Sequence, residues 1–409
     1  MPTVSENKKS IWDYLIWVMT ALLYASFTVF NLSAYSTTGV IAIVAVMLVL
    51  YLIKNKFTFH IKLGKFHADV LVFAVFCVTS ALWAIVSRDA VHKGIQVAEI
   101  LLCMAVVYMC YQNEQNIRPV VSAVVLGGYI IAAYFIAVYG GLEMAISNAT
   151  DSIREGVEFA NVNAIGRNMA ITITFNIFLI YHEKKFRWWY VFMVLPIIAL
   201  AASQSRTSML CAIVGVGAIV FANAYNKRGF IISLFSVATL VILIYVLLVT
   251  VPIFNGVLTR MEGLWAMITG EGEVDSSAIV RQRMIEAGLI AFKEHPIIGV
   301  GMGNARFYSA MYANKNTYLH NNYIEVLASG GIVGTFLYYR MYFESIVTIV
   351  KHKLKSNPYS VLCIILLLLM MIIDYGAVTY YYKETYLFLV IIYLHLRSLK
   401  AADKTKAAV

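Results

Sequence analysis

The sequence predicts an all-α polytopic membrane protein with about twelve transmembrane helices and a long outer loop between spans nine and ten. Three observations carry that prediction. Of 409 residues, 61% are hydrophobic and only 13% charged, with a mean hydropathy of +0.77. A soluble chain of this length has no room to hide so much apolar side chain, so much of its solvent is lipid. Apolar runs of about 18–22 residues recur, each long enough to cross ~30 Å of hydrocarbon as a helix, and none alternates in polarity as a barrel strand would.

The elements follow in order. The stretch 1–11 is mostly polar, and the first apolar run, 12–32, lacks a small-residue cleavage site, so it reads as a retained span and not as a signal peptide. Runs 37–53, 68–87, 95–112 and 119–140 come next, separated by short charged connections. After an outer segment, 141–162, four more spans cover 163–182, 188–205, 207–225 and 229–251. The last three are 320–350, 358–378 and 384–398. The chain thus divides into spans one to nine (1–251), an extracytoplasmic loop (252–319), spans ten to twelve (320–398) and a cytoplasmic tail (399–409). So long a loop is not expected to be structureless. Within it VRQRMIEAGLIAFKE (280–294) carries apolar positions 284, 285, 288, 289 and 292 at helical spacing, which predicts an amphipathic helix on the outer surface.

Twelve crossings leave both termini on one side, and the positive-inside rule names that side. Segments on it carry Lys8 and Lys9, Lys54, Lys56, Lys62 and Lys65, Arg118, Lys184, Lys185 and Arg187, Lys227 and Arg228, Lys351, Lys353 and Lys355, then Arg397, Lys400, Lys404 and Lys406. The opposite short loops hold Arg88, Lys93, Arg154, Arg206 and Lys383. The lysine-rich side is therefore cytoplasmic. The net charge of +10 reads as an orientation signal facing anionic membrane lipids and calls for no nucleic-acid partner. Cys77, Cys103, Cys110, Cys211 and Cys363 all lie in apolar runs without metal-ligand spacing, as buried small hydrophobes do.

Polar groups at the membrane's outer face are the informative ones. His60, His67, His182, His352 and His395 sit at the cytoplasmic face among lysines and read as solvated interfacial side chains. His92 falls in a short charged loop and His295 precedes a proline. His320 differs because it heads a span. At roughly 100° per residue it shares a face with Tyr323, Leu327, Gly331 and Gly334, whose small members permit close helix approach, so it points into the bundle. Arg206 lies in SQSRTS (203–208), a tight outer connection where it either snorkels to headgroup phosphates or serves a site. Arg281 and Arg283 open the amphipathic helix, and Arg283 is spaced to pair with Glu286. Arg167, near the outer end of span six, is a further cation in need of a partner. Guanidinium forks suit a lipid-linked phosphate or pyrophosphate, and a histidine with an ordinary pKa of about 6.5 suits proton transfer beside it. No P-loop, HExxH, CxxC or GxSxG is present, which disfavours an ATP motor, a zincin and a serine hydrolase. GVGMG (299–303) lacks the strand-to-helix context of a phosphate loop.

HNNYIEVLASGGIVG (320–334) resembles the signature of the O-antigen ligase and polymerase superfamily, a histidine–asparagine pair opening a span with spaced glycines behind it. FANVNAIGRNMA (159–170), the SRTS around Arg206 and RQRMIEAGLIAFKEHPIIGVGMGN (281–304) are similar to its other motifs, in the same order and on the same side. The resemblance implies a GT-C-like fold in the bacterial cytoplasmic membrane. It implies transfer of a glycan from an undecaprenyl-pyrophosphate carrier to an acceptor sugar hydroxyl, with inversion and without metal or other cofactor. The family's histidine falls on His320, its first arginine on Arg206, and its second on Arg281, with Arg283 the neighbouring alternative. Ser329 and Ile285 depart from the carboxylate and aromatic common at those positions, which bears on the acceptor contacts.

Combined with that resemblance, the arginines are expected to hold the pyrophosphate and His320 to accept or orient the acceptor's hydroxyl proton. Asn321, Asn322 and Tyr323 are candidates for binding sugar hydroxyls, as are Asn161 and Asn163, which alternatively cap span six. The acceptor is a second lipid-linked repeat unit in a polymerase, the favoured reading, or a lipid A core sugar in a ligase; a chain-length-regulating partner has a place in the former. A transporter or lipid flippase is the alternative of another class. Glu99, Glu344 and Asp374 are its candidate intramembrane acids, but Arg340 is spaced to pair with Glu344 and no internal repeat is visible.

Overall fold

A computed structural model describes residues 10–30, 36–60, 62–138, 140–151, 161–269, 276–352 and 357–407. Lys8, Lys9, Arg154, Lys353, Lys355 and the first two residues of the 159–170 motif lie outside the described residues. Among the described residues every regular element is helical. The helices are α1 (Ile11–Val29), α2 (Ser36–Lys54), α3 (Lys65–Thr79), α4 (Ser87–Tyr111), α5 (Arg118–Val138), α6 (Leu142–Thr150), α7 (Val162–His182), α8 (Val194–Ser203), α9 (Arg206–Arg228), α10 (Phe230–Thr250), α11 (Asn255–Thr269), α12 (Ser276–Glu294), α13 (Ala305–Ala313), α14 (Asn322–Lys351), α15 (Pro358–Gly376) and α16 (Lys383–Ala407).

Nine of these helices are long and apolar enough to cross a membrane: α1 to α5, α7, α9, α10 and α15. The chain is a helical polytopic membrane protein. The other three expected spans differ from simple hydrophobic rods. The run 188–205 begins as a 3-10 stretch, Lys184–Met193, and continues as the short α8, which carries Pro196. α14 carries Glu325, Arg340 and Glu344, and α16 begins with Lys383 and Glu384 and bears Arg397 and Lys400.

These charges are answered within the bundle, and not as helical spacing suggested. Arg340 pairs with Asp69 of α3 at 2.5 Å, and the Tyr393 hydroxyl donates to the other Asp69 oxygen at 2.8 Å. Glu344 pairs with Lys65. Asp69 is buried, and a carboxylate there needs a cation from a facing helix more than Arg340 needs its own-helix neighbour. Two of the interfacial histidines are likewise not solvated. His67 is buried and its Nδ1 accepts from the Gly64 amide at 3.1 Å, while the fully buried His395 shares a 2.8 Å hydrogen bond with the Ser360 hydroxyl.

Among its described residues, the loop of 252–319 contains the three α-helices α11, α12 and α13, after a 3-10 turn at Pro252–Phe254. α12 covers the predicted amphipathic segment, but its buried face is Met284, Ala287, Gly288 and Ala291, with Leu289 exposed. That face packs on α13 and α14, so Met284 and three small residues set its contact, positions 284 and 288 of the predicted set among them and 285, 289 and 292 not. After α12, residues 296–304 run into a break in α14. Gly331 has φ 60° and ψ −160°, which interrupts the helix and leaves carbonyls and amides without intrahelical partners. The segment supplies them: Val300 and Gly301 amides donate to the Ala328 and Ser329 carbonyls at 3.0 and 2.9 Å, and Ile332 and Val333 amides donate to the Pro296 and Ile297 carbonyls at 2.9 and 3.1 Å. Irregular backbone at membrane depth is tolerated where protein satisfies it in this way. GVGMG is thus a structural insert. Its far side is held by Trp83 Nε1 donating to the Ile298 carbonyl at 3.1 Å and by the Asn304 side chain bonding both polar backbone groups of Val86.

Candidate active site

The insert fixes the middle of α14, and a second set of bonds fixes its start. Asn321 caps the helix, its side chain accepting from the Ile324 amide at 3.1 Å. One turn in, the buried Glu325 reaches back: Oε2 accepts from the Leu319 amide at 2.9 Å, and Oε1 accepts from the Ser329 hydroxyl at 3.5 Å. Between these anchors His320 precedes the helix with φ at 55°, a left-handed conformation that side chains adopt only when their surroundings enforce it. Its half-buried imidazole lies beside the Tyr318 ring, centroids 4.4 Å apart. The glutamate at the head of this apolar stretch therefore has a clear task, which is to clamp the peptide that carries His320.

The neighbouring polar residues face structural partners. Asn322 is fully buried, its Oδ1 accepting from the Thr379 and Tyr380 amides at 2.9 and 3.0 Å and its Nδ2 donating to the Tyr339 hydroxyl at 2.9 Å. Tyr339 in turn donates to Asp374 at 3.1 Å, and Thr379 donates to the other Asp374 oxygen. Asp374 is thus an acceptor in a buried network that ties α14 to the connection between α15 and α16. Tyr323 stacks on Tyr339 and donates to the Met371 carbonyl at 2.8 Å. Asn161 caps α7, accepting from the Asn163 amide at 2.9 Å, and Asn163 stands half-buried in the first turn. Of the five residues offered as sugar ligands, Asn321, Asn322, Tyr323 and Asn161 have side chains bonded to backbone groups.

Cations converge on His320 from two directions. α12 crosses α14's start where Gly288 meets Leu319 and Ile324, and a Cβ there would lie 2.5 and 2.4 Å from their side chains. This places half-buried Arg281 within electrostatic reach of His320, whereas Arg283 is exposed. Arg167 approaches from α7, its guanidinium 5.7 Å from the Tyr382 ring centroid. Burial first, then the Arg281 and Arg167 charges, push the His320 imidazole down from 6.5 to about 4. At neutral pH the ring is uncharged and able to take a proton.

Arg206 is carried by a corner that touches the same region. Gln204, with φ 48°, turns the chain from α8 into α9, and Arg206 donates to the Arg260 carbonyl of α11 at 2.7 Å. Gly166, next to Arg167, packs on this corner so closely that a Cβ would meet the Ser203 and Ser208 hydroxyls at 2.5 and 2.8 Å. Gly376 packs on Thr207, so the corner also meets the end of α15 that receives Tyr323. Arg167, Arg206, Arg281 and His320 therefore gather at one end of the bundle.

A groove of about 630 Å³ adjoins that end. Val40, Ile41, Val44 and Val106 give it apolar walls, and Arg167, Tyr382, Glu99, Lys383 and Glu384 are among its polar lining. Tyr382 and Glu325 escaped the sequence-level choice of site residues. For Glu325 the signal was present, an acid one turn inside a span, but its partner was a backbone amide that composition does not reveal. Among the described residues, no group of three or more His, Cys, Asp and Glu side chains is placed to hold a metal ion.

Comparison with known proteins gives one family finding. The family model described as O-antigen ligase matches residues 191–339. The match takes in Arg206, Arg281, Arg283 and His320, and supports the O-antigen ligase/polymerase superfamily; the 159–170 motif with Arg167 lies outside it. No curated protein matches the chain.

Proposed function

We propose that this protein is a glycosyltransferase that joins undecaprenyl-pyrophosphate-linked oligosaccharide units on the outer face of the cytoplasmic membrane. O-antigen ligase/polymerase-type function follows from the family match. The finer reading rests chiefly on one observation, His320 held in an enforced left-handed conformation at the head of α14 with Arg281 and Arg167 within electrostatic reach.

In the proposed reaction the acceptor hydroxyl gives its proton to His320 as its oxygen bonds to the donor's anomeric carbon. The bond from that carbon to the phosphate oxygen breaks on the opposite side, and the electron pair leaves with the pyrophosphate. Arg281, Arg206 and Arg167 stabilise the charge that grows there. Displacement from one face inverts the anomeric centre, and no metal takes part. Glu325 acts through His320, holding the Leu319 peptide so that the imidazole keeps its direction. Of the five residues offered for sugar contacts, Asn163, in the first turn of α7, remains the candidate.

The family description favours a second reading, transfer to a lipid A core sugar by a ligase. One experiment separates the two. Purified protein is given a synthetic undecaprenyl-pyrophosphate oligosaccharide alone, and products are resolved by gel and mass spectrometry. A ladder in steps of one repeat, lost in His320→Ala, is the expected result. Transfer that appears only after lipid A core is added makes the protein a ligase, and silence under both conditions with a matched donor rejects both.

A further inference from the structure

At the end of the bundle opposite His320, residues from α3, α4, α14 and α16 enclose a pocket of about 300 Å³. Its charged lining is Lys62, Lys65, Arg397 and Lys400 against one acid, Glu344. Lys65 is committed to Glu344, and Arg397 contacts the Gln112 side-chain oxygen at 3.4 Å. Neither Lys62 nor Lys400 is ion-paired among the described residues. Taken together the pocket carries three more positive charges than negative ones. Lys62, Lys65 and Lys400 reach solvent at its mouth and Arg397 is half-buried, so the pocket presents a positive field that draws an anion.

The rim identifies what kind of anion. The connection from α2 to α3 that bears Lys62 also exposes Phe57, Phe59 and Leu63, at 76%, 54% and 76%. Aromatic and aliphatic side chains presented outward beside lysines are the composition of a membrane–water interface. Within the pocket, the apolar Leu396 lies beside the cations, with Tyr108 and Tyr393 as phenol-bearing walls. A ligand that meets both surfaces has a phosphate head and apolar tails, and basic pockets between helices on the cytoplasmic side take anionic lipid headgroups.

We propose that this pocket is a binding site for an anionic phospholipid, with the phosphate between Lys62, Arg397 and Lys400 and the acyl chains against Leu63 and the outer face of α3. It is separate from the glycan site and its test reads no transfer.

Native mass spectrometry of the purified protein, titrated with phosphatidylglycerol, cardiolipin or phosphatidylcholine, measures the site directly. The expected result is a retained anionic-lipid adduct that phosphatidylcholine does not replace. Joint substitution Lys62→Gln, Arg397→Gln and Lys400→Gln should weaken that adduct at least tenfold. A charge-matched control on the same end, Lys56→Gln, Arg187→Gln and Lys351→Gln, should retain it. Equal loss in both sets, or loss in neither, overturns the proposal, the former in favour of a diffuse positive surface. Displacement of the adduct by millimolar inorganic phosphate overturns it in favour of a free phosphate site. Should the triple variant fail to fold, photoactivatable phosphatidylglycerol on the unaltered protein decides: crosslinks at 62–65 and 393–400 support the site, and crosslinks elsewhere reject it.

Discussion

His320 owes its lowered pKa to position, and position can be altered one residue at a time. The proton-accepting form is the neutral ring, complete above the ring's pKa and lost as pH falls through it. Burial and the Arg281 and Arg167 charges lower that pKa to about 4, so the acid limb of kcat/KM should lie well below the ordinary histidine range. Arg281→Gln removes one opposing charge, makes the imidazolium easier to form and should move the limb toward neutral pH. Arg283→Gln, at an exposed position, should leave it in place. The shape of the profile is read, not its height, because Arg281→Gln should also reduce the rate by on the order of 100-fold if Arg281 stabilises the leaving pyrophosphate. A limb at 6.5 in the unaltered enzyme would refute the environment described for this ring. His320→Ala should cost transfer about 10²–10⁴-fold, the usual share of general base catalysis, in a protein that still elutes as a monodisperse peak.

The break in α14 makes its prediction at the level of the element. An alanine Cβ at Gly331 would sit 2.4 Å from the Ile297 carbonyl group, and at Gly299 2.4 Å from the Ser329 carbonyl group, in both cases against backbone that has nowhere to go. Gly331 also occupies a region of φ and ψ that is essentially reserved for glycine, at a cost of about 1–3 kcal/mol for other residues before any clash is counted. Gly331→Ala should therefore lower the melting temperature clearly and reduce transfer with it. Gly217→Ala in α9, where nothing lies within 4 Å of the added methyl, should leave the melting temperature unchanged or raise it. The same element shows what the sequence could tell. Spans were legible from apolar length, and His320 stood out because a polar group at a membrane mouth needs a reason. The pairing of residues 296–304 with the broken helix was not legible, since it is made of backbone groups that every sequence possesses. For the same reason Asn322 looked like a sugar ligand: an amide side chain reads alike whether it meets a hydroxyl or the amides of Thr379 and Tyr380. Arg340 and Glu344 were matched by helical spacing because Asp69 and Lys65 become neighbours only once α3 and α14 pack.

Across the whole molecule, everything proposed for the glycan site requires that the end holding His320 face away from the cytoplasm. The argument for that orientation is the distribution of lysine and arginine among loops, and it is open to a direct check. The five native cysteines lie in helices, four of them buried and Cys103 half-buried, so a membrane-impermeant maleimide should find little background. Asn314, after α13, and Asn113, after α4, are exposed at opposite ends of the bundle. In intact cells Asn314→Cys should label at once, and Asn113→Cys only after the membrane is opened. The reverse pattern would put the arginines and His320 in the cytoplasm, where nucleotide-activated sugars are available and a lipid-pyrophosphate donor loses its rationale. It would also put the Lys62–Lys400 pocket in the outer leaflet. Labelling of both sites in intact cells would mean that an even number of crossings separates them, and that α8, the one expected span between them that is too short to cross unaided, does not traverse the bilayer. α14 and α16, which follow both sites, also fall outside the set that is apolar and long enough to cross unaided. α14 and α16 have a physical reason to cross, because Arg340 is neutralised by Asp69 and His395 is bonded to Ser360 inside the bundle, which removes much of the penalty that lipid would impose. A third position, exposed Lys351 at the far end of α14, tests whether charges satisfied between helices suffice to seat a helix that hydropathy alone would leave out: Lys351→Cys should label only after the membrane is opened, and labelling in intact cells alongside Asn314→Cys would mean that α14 does not cross.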